Sequence, residues 1–117
     1  MKIIIAGGRT FNDYELLCEN CDKAFSLQTE IEIVSGTANG ADKLGEKYAK
    51  EKGYPIKQFP ADWDKFGKSA GYKRNEEMAK YADALIAFWD NKSKGTKHMI
   101  DLAKRYGLKV KVIIFNP

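Results

Sequence analysis

Apolar and polar positions along the chain follow two alternating periods. Short apolar runs occur unbroken at Ile3-Ile4-Ile5-Ala6 and Ala84-Leu85-Ile86-Ala87-Phe88, and with one charged residue inside them around Ile31, Ile33 and Val34 and from Val110 to Phe115. Runs of this length read as strands, and that at 84–88 as a buried one. Between them apolar residues recur three or four positions apart. Tyr14, Leu17, Cys18, Cys21, Ala24 and Phe25 make one stripe, and Ala41, Leu44, Tyr48 and Ala49 a second. A third helix is predicted over about 72–82. Met99, Ile100, Ala103 and Tyr106 mark a fourth over about 96–106. Each stripe is the buried face of an amphipathic helix.

The punctuating residues fit this division. Asn12 or Asp13 supplies an N-cap for the first helix, with Glu15 placed for a capping-box contact to Asn12, and that helix is expected to reach about Leu27. Gly53 and Gly107 close the second and fourth. Pro55 to Phe59 predicts a shorter third strand near a sheet edge, since proline has no N–H to give a neighbour. Residues 60–71 are left as the longest irregular stretch. It reads as a functional loop or lid, or as an aromatic cluster covering the sheet edge.

Strands alternating with helices imply an α/β fold: a Rossmann-like three-layer αβα sandwich around a five-stranded, mainly parallel sheet of order 3-2-1-4-5. The chain reverses direction between strands 1 and 4 in that order, and ligands bind beyond the carboxyl ends of the strands at such a point. Three loops are expected at that rim: Gly7-Gly8-Arg9-Thr10, the run from Ser35 to Gly40, and the run from Asp90 to Thr96. All are rich in glycine or small polar residues.

Composition narrows the class. With 117 residues and 44% hydrophobic content, one domain over 1–117 with one modest core is expected. No window carries the roughly 18 apolar residues of a membrane span. The N-terminus lacks a signal-peptide core and cleavage site, so a cytoplasmic protein without membrane contact is expected. A net charge of +4 suits solubility. However, Arg9, Lys68, Lys73, Arg74, Lys92, Lys94 and Lys97 fall in predicted loops and helix starts. Gathered together they would form a cationic pocket for an anionic small molecule or a single nucleic-acid strand. Cys18 and Cys21 form a Cys-x-x-Cys, but they lie within a helical stripe, so they read as buried thiols rather than a redox or zinc pair. No cluster has metal-ligand spacing, and neither a metal nor a resident cofactor is expected.

The most informative chemistry lies in Trp89-Asp90-Asn91-Lys92-Ser93-Lys94-Gly95-Thr96, between a buried strand and a helix start. Free backbone N–H groups and the positive end of a helix dipole hold phosphate in such units. Gly7-Gly8-Arg9 permits close backbone approach or simply makes a tight turn, and Arg9 favours anion contact. The G-x-G-x-x-G fingerprint and the Walker lysine motif are both absent. Asp42 reads equally as a ribose contact or a helix cap. Arg74, with Asn75 and Met78, is placed at a helix start, where a bound anion would relieve its conflict with the dipole. His98, the sole histidine, reads as a surface residue near the pocket.

Taken together, Gly7-Gly8-Arg9-x-Phe11-x-Asp13, Ser35-Gly36-x-Ala38-x-Gly40-Ala41-Asp42, Ala61-Asp62-Trp63, Arg74-Asn75-x-x-Met78 and Ala87-Phe88-Trp89-Asp90-x-x-Ser93-x-Gly95-Thr96-x-x-Met99-Ile100 resemble the SLOG superfamily, which joins the Smf/DprA proteins with the LOG nucleotide hydrolases. The match is best to the YspA/YpsA-related branch. The resemblance implies a domain that binds nucleotides or their derivatives. In the LOG enzymes, segments similar to Arg74 with Met78 and to Gly95-Thr96 hold a nucleoside monophosphate, and the arginine and a glutamate serve cleavage of the base–ribose bond. Here His98 and Met99 stand where the LOG glutamates would be, which removes that chemistry's main electrostatic group. The DprA resemblance, over Ser35 to Asp42 and Arg74-Asn75, implies the alternative of single-stranded DNA binding, with Trp63, Phe66, Tyr72 and Trp89 as stacking platforms. A homo-oligomer is implied by resemblance only.

The combined expectation is a nucleotide-type ligand, such as a nucleoside monophosphate, ADP-ribose or NAD. It is held by a sensor or by a divergent N-glycosidic hydrolase. Its phosphate is expected on the amides of Gly95 and Thr96, with Ser93 donating and Arg74 and Arg9 neutralising. Gly7, Gly8, Ser35, Gly36 and Gly40 are expected to let sugar and base close to the backbone, with Asn75 beside them. Trp63 or Trp89 is expected to stack on the base. Arg74 and Asp90 are the candidate catalytic residues, Asp90 as an acid or a ribose contact.

Overall fold

The computed structural model describes residues 1–116. Ile3 and Ile5 of strand β1 (Lys2–Gly7) point to one side of a sheet and Ile4 and Ala6 to the other, and all four are buried. That alternation produces two cores, one on each face. The first gathers Leu17, Cys21 and Phe25 of α1 (Tyr14–Phe25) and Tyr48 and Ala49 of α2 (Ala41–Lys52). The second gathers Met78 and Ala79 of α4 (Ala70–Tyr81) and Met99, Ile100, Leu102 and Ala103 of α5 (Lys94–Arg105). Each fully buried aliphatic side chain contributes roughly 1.5–3 kcal/mol.

β1 pairs with β2 (Glu32–Ser35) on one side and β4 (Ala84–Trp89) on the other. β3 (Ile56–Gln58) and β5 (Lys109–Ile114) form the edges, giving the order β3-β2-β1-β4-β5. Every pairing is parallel. This is an α/β, Rossmann-like sheet covered by helices on both faces, with the expected strand order. α1 and α2 lie over one face and α4 and α5 over the other, so the connections diverge between the carboxyl ends of β1 and β4. No helix among the described residues is long and apolar enough to cross a membrane.

Several element boundaries differ from expectation. Asp13, not Asn12, caps α1: its Oδ1 accepts from Leu16 N at 3.0 Å. The third helical position is then Leu16, so Glu15 is out of register for a capping box. α1 stops at Phe25, where its buried stripe ends, and Leu27 is exposed. The stretch 60–71 is not irregular. It holds a four-residue helix α3 (Trp63–Phe66), capped by Asp62, then a 3-10 turn (Gly67–Ser69) and the first residues of α4. α5 begins at Lys94, which puts Gly95 and Thr96 inside its first turn. Cys18 and Cys21 are free thiols on the inner side of α1, and burial pushes the Cys21 thiol up to about 12, away from reactivity.

Candidate functional site

The rim at the reversal point is built by backbone fitting backbone. A methyl group on Gly7 would lie 2.3 Å from the Phe88 carbonyl oxygen and 2.9 Å from Ala41 Cβ. The Gly8 amide donates to the Phe88 carbonyl at 3.1 Å, and the Gly8 carbonyl accepts from Phe11 at 3.2 Å and from Ala41 at 3.3 Å. Gly40 sits at φ +80°, and a Cβ there would come within 2.3 Å of the Gly8 oxygen. Gly8 and Gly40 therefore seal the seam between the β1 loop and α2. Gly8 has both its amide and its carbonyl already paired, and neither glycine lines the cleft described next.

Above this seam lies a cleft of two chambers. One, of about 240 Å³, is lined by Gly7, Arg9, Asp42, Trp63, Arg74, Asn75, Ser93, Gly95 and Thr96, over an apolar floor of Ala6, Met78 and Met99. Lys68 and Tyr72 stand at its side. The other, of about 380 Å³, adds Gly36, Thr37, Asn39, Pro60 and Ala61. Arg9, Ala38, Trp63 and Arg74 line both. Of the seven cationic residues expected to converge, Arg9, Lys68 and Arg74 reach the cleft. Lys73 lies over the Phe66 ring at 4.8 Å, Lys97 pairs with Asp101 at 2.8 Å, and Lys92 and Lys94 are exposed outside the lining.

The end of α5 is shaped by the loop before it. Asp90 Oδ1 accepts from the amides of Lys92 and Ser93, both at 2.8 Å, and these bonds hold its carboxyl below the usual range. Trp89 Nε1 donates to the Ser93 carbonyl at 3.0 Å. Both side chains are committed to the loop, and neither lines the cleft, contrary to the expected stacking and acid roles. Ser93 Oγ accepts from Thr96 N at 3.3 Å and from Thr96 Oγ1 at 3.0 Å. With both acceptances used, its own proton points elsewhere. The Thr96 amide is taken, whereas those of Lys94 and Gly95 meet no acceptor among the described residues. A Cβ on Gly95 would meet nothing within 4 Å.

Arg74 is not at a helix start. α4 begins at Ala70, so Arg74 occupies the second turn, where the dipole no longer opposes it. Its Nη1 donates to the Gly36 carbonyl and its Nε to Asn75 Oδ1 at 3.0 Å. Burial lowers the pKa of its guanidinium from the ordinary value. The Asn75 amide then donates to the Gly95 carbonyl at 3.3 Å and meets His98 Nδ1 at 3.2 Å. With Asn75 as donor there, the His98 proton resides on Nε2. The Tyr72 ring stands edge-on to His98 at 4.4 Å, and burial holds the histidine below its ordinary pKa. His98 is thus tied into the rim rather than loose on the surface.

Two buried carboxylates sit one turn apart on α2. Glu46 is engaged on both oxygens, by Ser35 Oγ at 2.6 Å and Gln58 Nε2 at 3.3 Å. Ser35 also accepts from Thr37 N at 3.0 Å, so it is a strut and not the expected ligand contact. Asp42 accepts from Ala38 N at 3.1 Å through Oδ2, reaching back to the loop rather than capping α2. Burial pushes its carboxyl up to about 6, against the opposing pull of the Ala38 amide and of Arg74. Sequence reasoning passed over Glu46, whose signal was its position four residues after Asp42. Thr37 and Asn39 belong to the Ser35-to-Gly40 loop expected at this rim, where the sequence singles out neither, and both line the second chamber. Thr37 holds φ +66°, a conformation that costs a β-branched residue energy and clusters at functional loops. Among the described residues no group of three or more His, Cys, Asp or Glu is placed to hold a metal ion.

Residues 1–66 match the family described as YAcAr: YspA, cpYpsA-related SLOG family. That match ends before Arg74 and the start of α5. The chain is also 30% identical over 116 residues to the Gene 61 protein of Mycobacterium phage D29, covering 93% of each protein. No solved structure matches it.

Proposed function

The chain belongs to the YspA, cpYpsA-related SLOG family, and on that footing we propose that it binds a nucleotide or nucleotide derivative through its phosphate. Membership points to nucleotide-related binding or processing. One observation carries the reading further: Gly95, whose amide is unfilled, and Ser93, whose hydroxyl proton is free, line a chamber that also holds Arg9 and Arg74. A helix N-terminus supplies partial positive charge and aligned donors. The two guanidiniums supply full charge and paired donors suited to phosphate oxygens. Trp63 flanks both chambers and is half exposed, which suits stacking on a base. The chambers lie near the roughly 300–1,000 Å³ range of small-ligand sites.

Nucleoside monophosphates, ADP-ribose and NAD are the probes that fit this description. Binding is favoured over base–ribose cleavage. His98 and Met99 stand where the LOG carboxylates are placed by resemblance, and Asp90 is occupied by its own loop. The test is calorimetric titration of the native chain and of Gly95→Asp with those probes. A carboxylate in the first turn of α5 favours the helix dipole and meets open space, so the variant folds at least as well as the native chain. It is expected to lose binding by more than about tenfold through like-charge repulsion on phosphate. Equal affinity in the two proteins would remove the phosphate from this site. Chromatography for released base then separates a sensor from a hydrolase for each probe that binds.

A second reading has its own observation. Trp63, Phe66 and Tyr72 are exposed side by side with Lys65, Lys68 and Lys73 on the α3–α4 shoulder. Stacking aromatics among cations are the means by which single strands are held. A short oligonucleotide that binds more tightly than any mononucleotide, with affinity falling steeply as salt rises, would favour this reading.

A further inference from the structure

Asp42 is the one acidic side chain in the lining of the first chamber. It is also buried, at 6% exposure. A buried charge is costly unless something compensates it. Glu46, one turn along the same helix, shows a compensated case, with a donor on each oxygen. Asp42 has only the Ala38 amide, on Oδ2. Its Oδ1 takes no donor among the described residues, yet no sealed side-chain oxygen or nitrogen there lacks a partner. Oδ1 is therefore open to the cleft. A carboxylate has about four lone-pair directions, so most of its accepting capacity faces inward unused.

Arg74 does not supply the missing partner. No ion pair within 4.0 Å joins them, and Arg74 is turned to the Gly36 carbonyl. The gap between the two side chains exists because residue 36 has no side chain. A methyl there would lie 2.8 Å from Asp42 Oδ2 and 2.9 Å from Arg74 Nη1. The group that faces Asp42 must bring hydrogen-bond donors and no negative charge, since a phosphate there would be repelled. On a nucleotide those donors are the sugar hydroxyls or an exocyclic amine of the base. The hydroxyls are favoured: the sugar is the part directly joined to the phosphate, and a vicinal pair of donors matches a carboxylate with open accepting sites.

We propose that Asp42 reads the sugar, accepting hydrogen bonds from the ribose hydroxyls of the ligand, so that the cleft selects ribonucleotides over 2′-deoxynucleotides. This rests on the phosphate reading given above and adds the class of sugar to it. The test is calorimetry of the native chain and Asp42→Asn with inorganic pyrophosphate, with the four ribonucleoside monophosphates, and with their 2′-deoxy counterparts. In the native chain the best ribonucleotide is expected to bind about ten- to a hundredfold more tightly than its deoxy form, the effect of one hydrogen bond to a charged group. Asp42→Asn is expected to bring that ratio toward unity while pyrophosphate binds at least as tightly as before.

Equal affinity for ribo and deoxy forms in the native chain overturns the proposal, and that comparison needs no variant. So does a ratio that survives in Asp42→Asn, or pyrophosphate binding with no gain from any nucleoside. Preference only for bases with an exocyclic amine, lost in Asp42→Asn, assigns the carboxylate to the base instead and overturns it too. If neither pyrophosphate nor any nucleotide binds, the phosphate reading itself has failed, and the sugar reading falls with it.

Discussion

Three glycines of the rim do three different jobs, and two of them make separable predictions. Gly40 holds φ +80° with the Gly8 oxygen 2.3 Å from any added Cβ. Gly40→Ala is expected to cost more than about 2 kcal/mol in chemical denaturation, because a backbone atom must move. Gly95 has free space around it, so Gly95→Ala is expected to leave stability unchanged or raise it by up to about 1 kcal/mol through helix propensity. Gly36 lies between, closed off by two side-chain termini that can shift. Asp42 adds a pH signature. Burial raises its pKa from 3.8 to about 6 in the folded chain, so the stability it contributes is fully present below about 3.8 and is lost as pH rises through about 6. The loss at neutral pH has an upper bound of about 3 kcal/mol. Asp42→Asn removes this dependence. Its melting temperature relative to the native chain is expected to be higher at about pH 7.5 than at about pH 4, and a gap that stays constant with pH would contradict that expectation. The sequence made these residue types conspicuous but not their duties. Ser35, Gly8 and Asp90 carry the same donors and freedom whether they face a ligand or hold a loop. Only the partners Glu46, Phe88 and the Ser93 amide decide it.

At the scale of elements, α5 and the loop before it behave as one device. Asp90 fixes the turn, Ser93 caps the helix, and the remaining first-turn amides stay open. Asp90→Asn keeps an oxygen acceptor and is expected to retain near-native ligand affinity, whereas Asp90→Ala frees two amides and is expected to weaken it. Equal, complete loss of binding or turnover in both would restore Asp90 as a reacting acid. Ser93→Ala is expected to cost about 1 kcal/mol of stability, the usual worth of an N-cap, measured by denaturant titration. The helix itself was plain in the spacing of Met99, Ile100 and Ala103. Its start was not, because Lys94 and Gly95 add nothing to the apolar pattern and only the Ser93 cap marks the boundary. The same holds for α3. Four residues with none buried have no periodicity to detect, although Asp62 was a readable cap. The missed start of α4 also misplaced Arg74 against the dipole.

Across the whole molecule, the two cores and the strand order follow from β1 and β4. Unbroken apolar runs there require cover on both faces, and right-handed crossovers leave few ways to supply it. That much was legible in the sequence. The edge position of β3 was visible in Pro55, whereas that of β5 followed only from the strand order, and its Lys109 and Lys111 are exposed. What no single stretch carried was which loops share a wall, since Arg9, Arg74 and Ser93 meet only through the sheet. A ligand seated there ties both faces together. At about a hundred times its dissociation constant it is expected to stabilise the fold by about 2.7 kcal/mol.

The central claim is that a phosphate sits where β1, β4 and α5 converge. Backbone amide shifts during titration with a nucleoside monophosphate test it most directly. The largest changes are expected at Lys94 and Gly95, with a second group at Gly7, Gly36 and Arg74, and all are expected to saturate together. Saturating changes confined to the α3–α4 shoulder, or to the far side of the sheet, would contradict it.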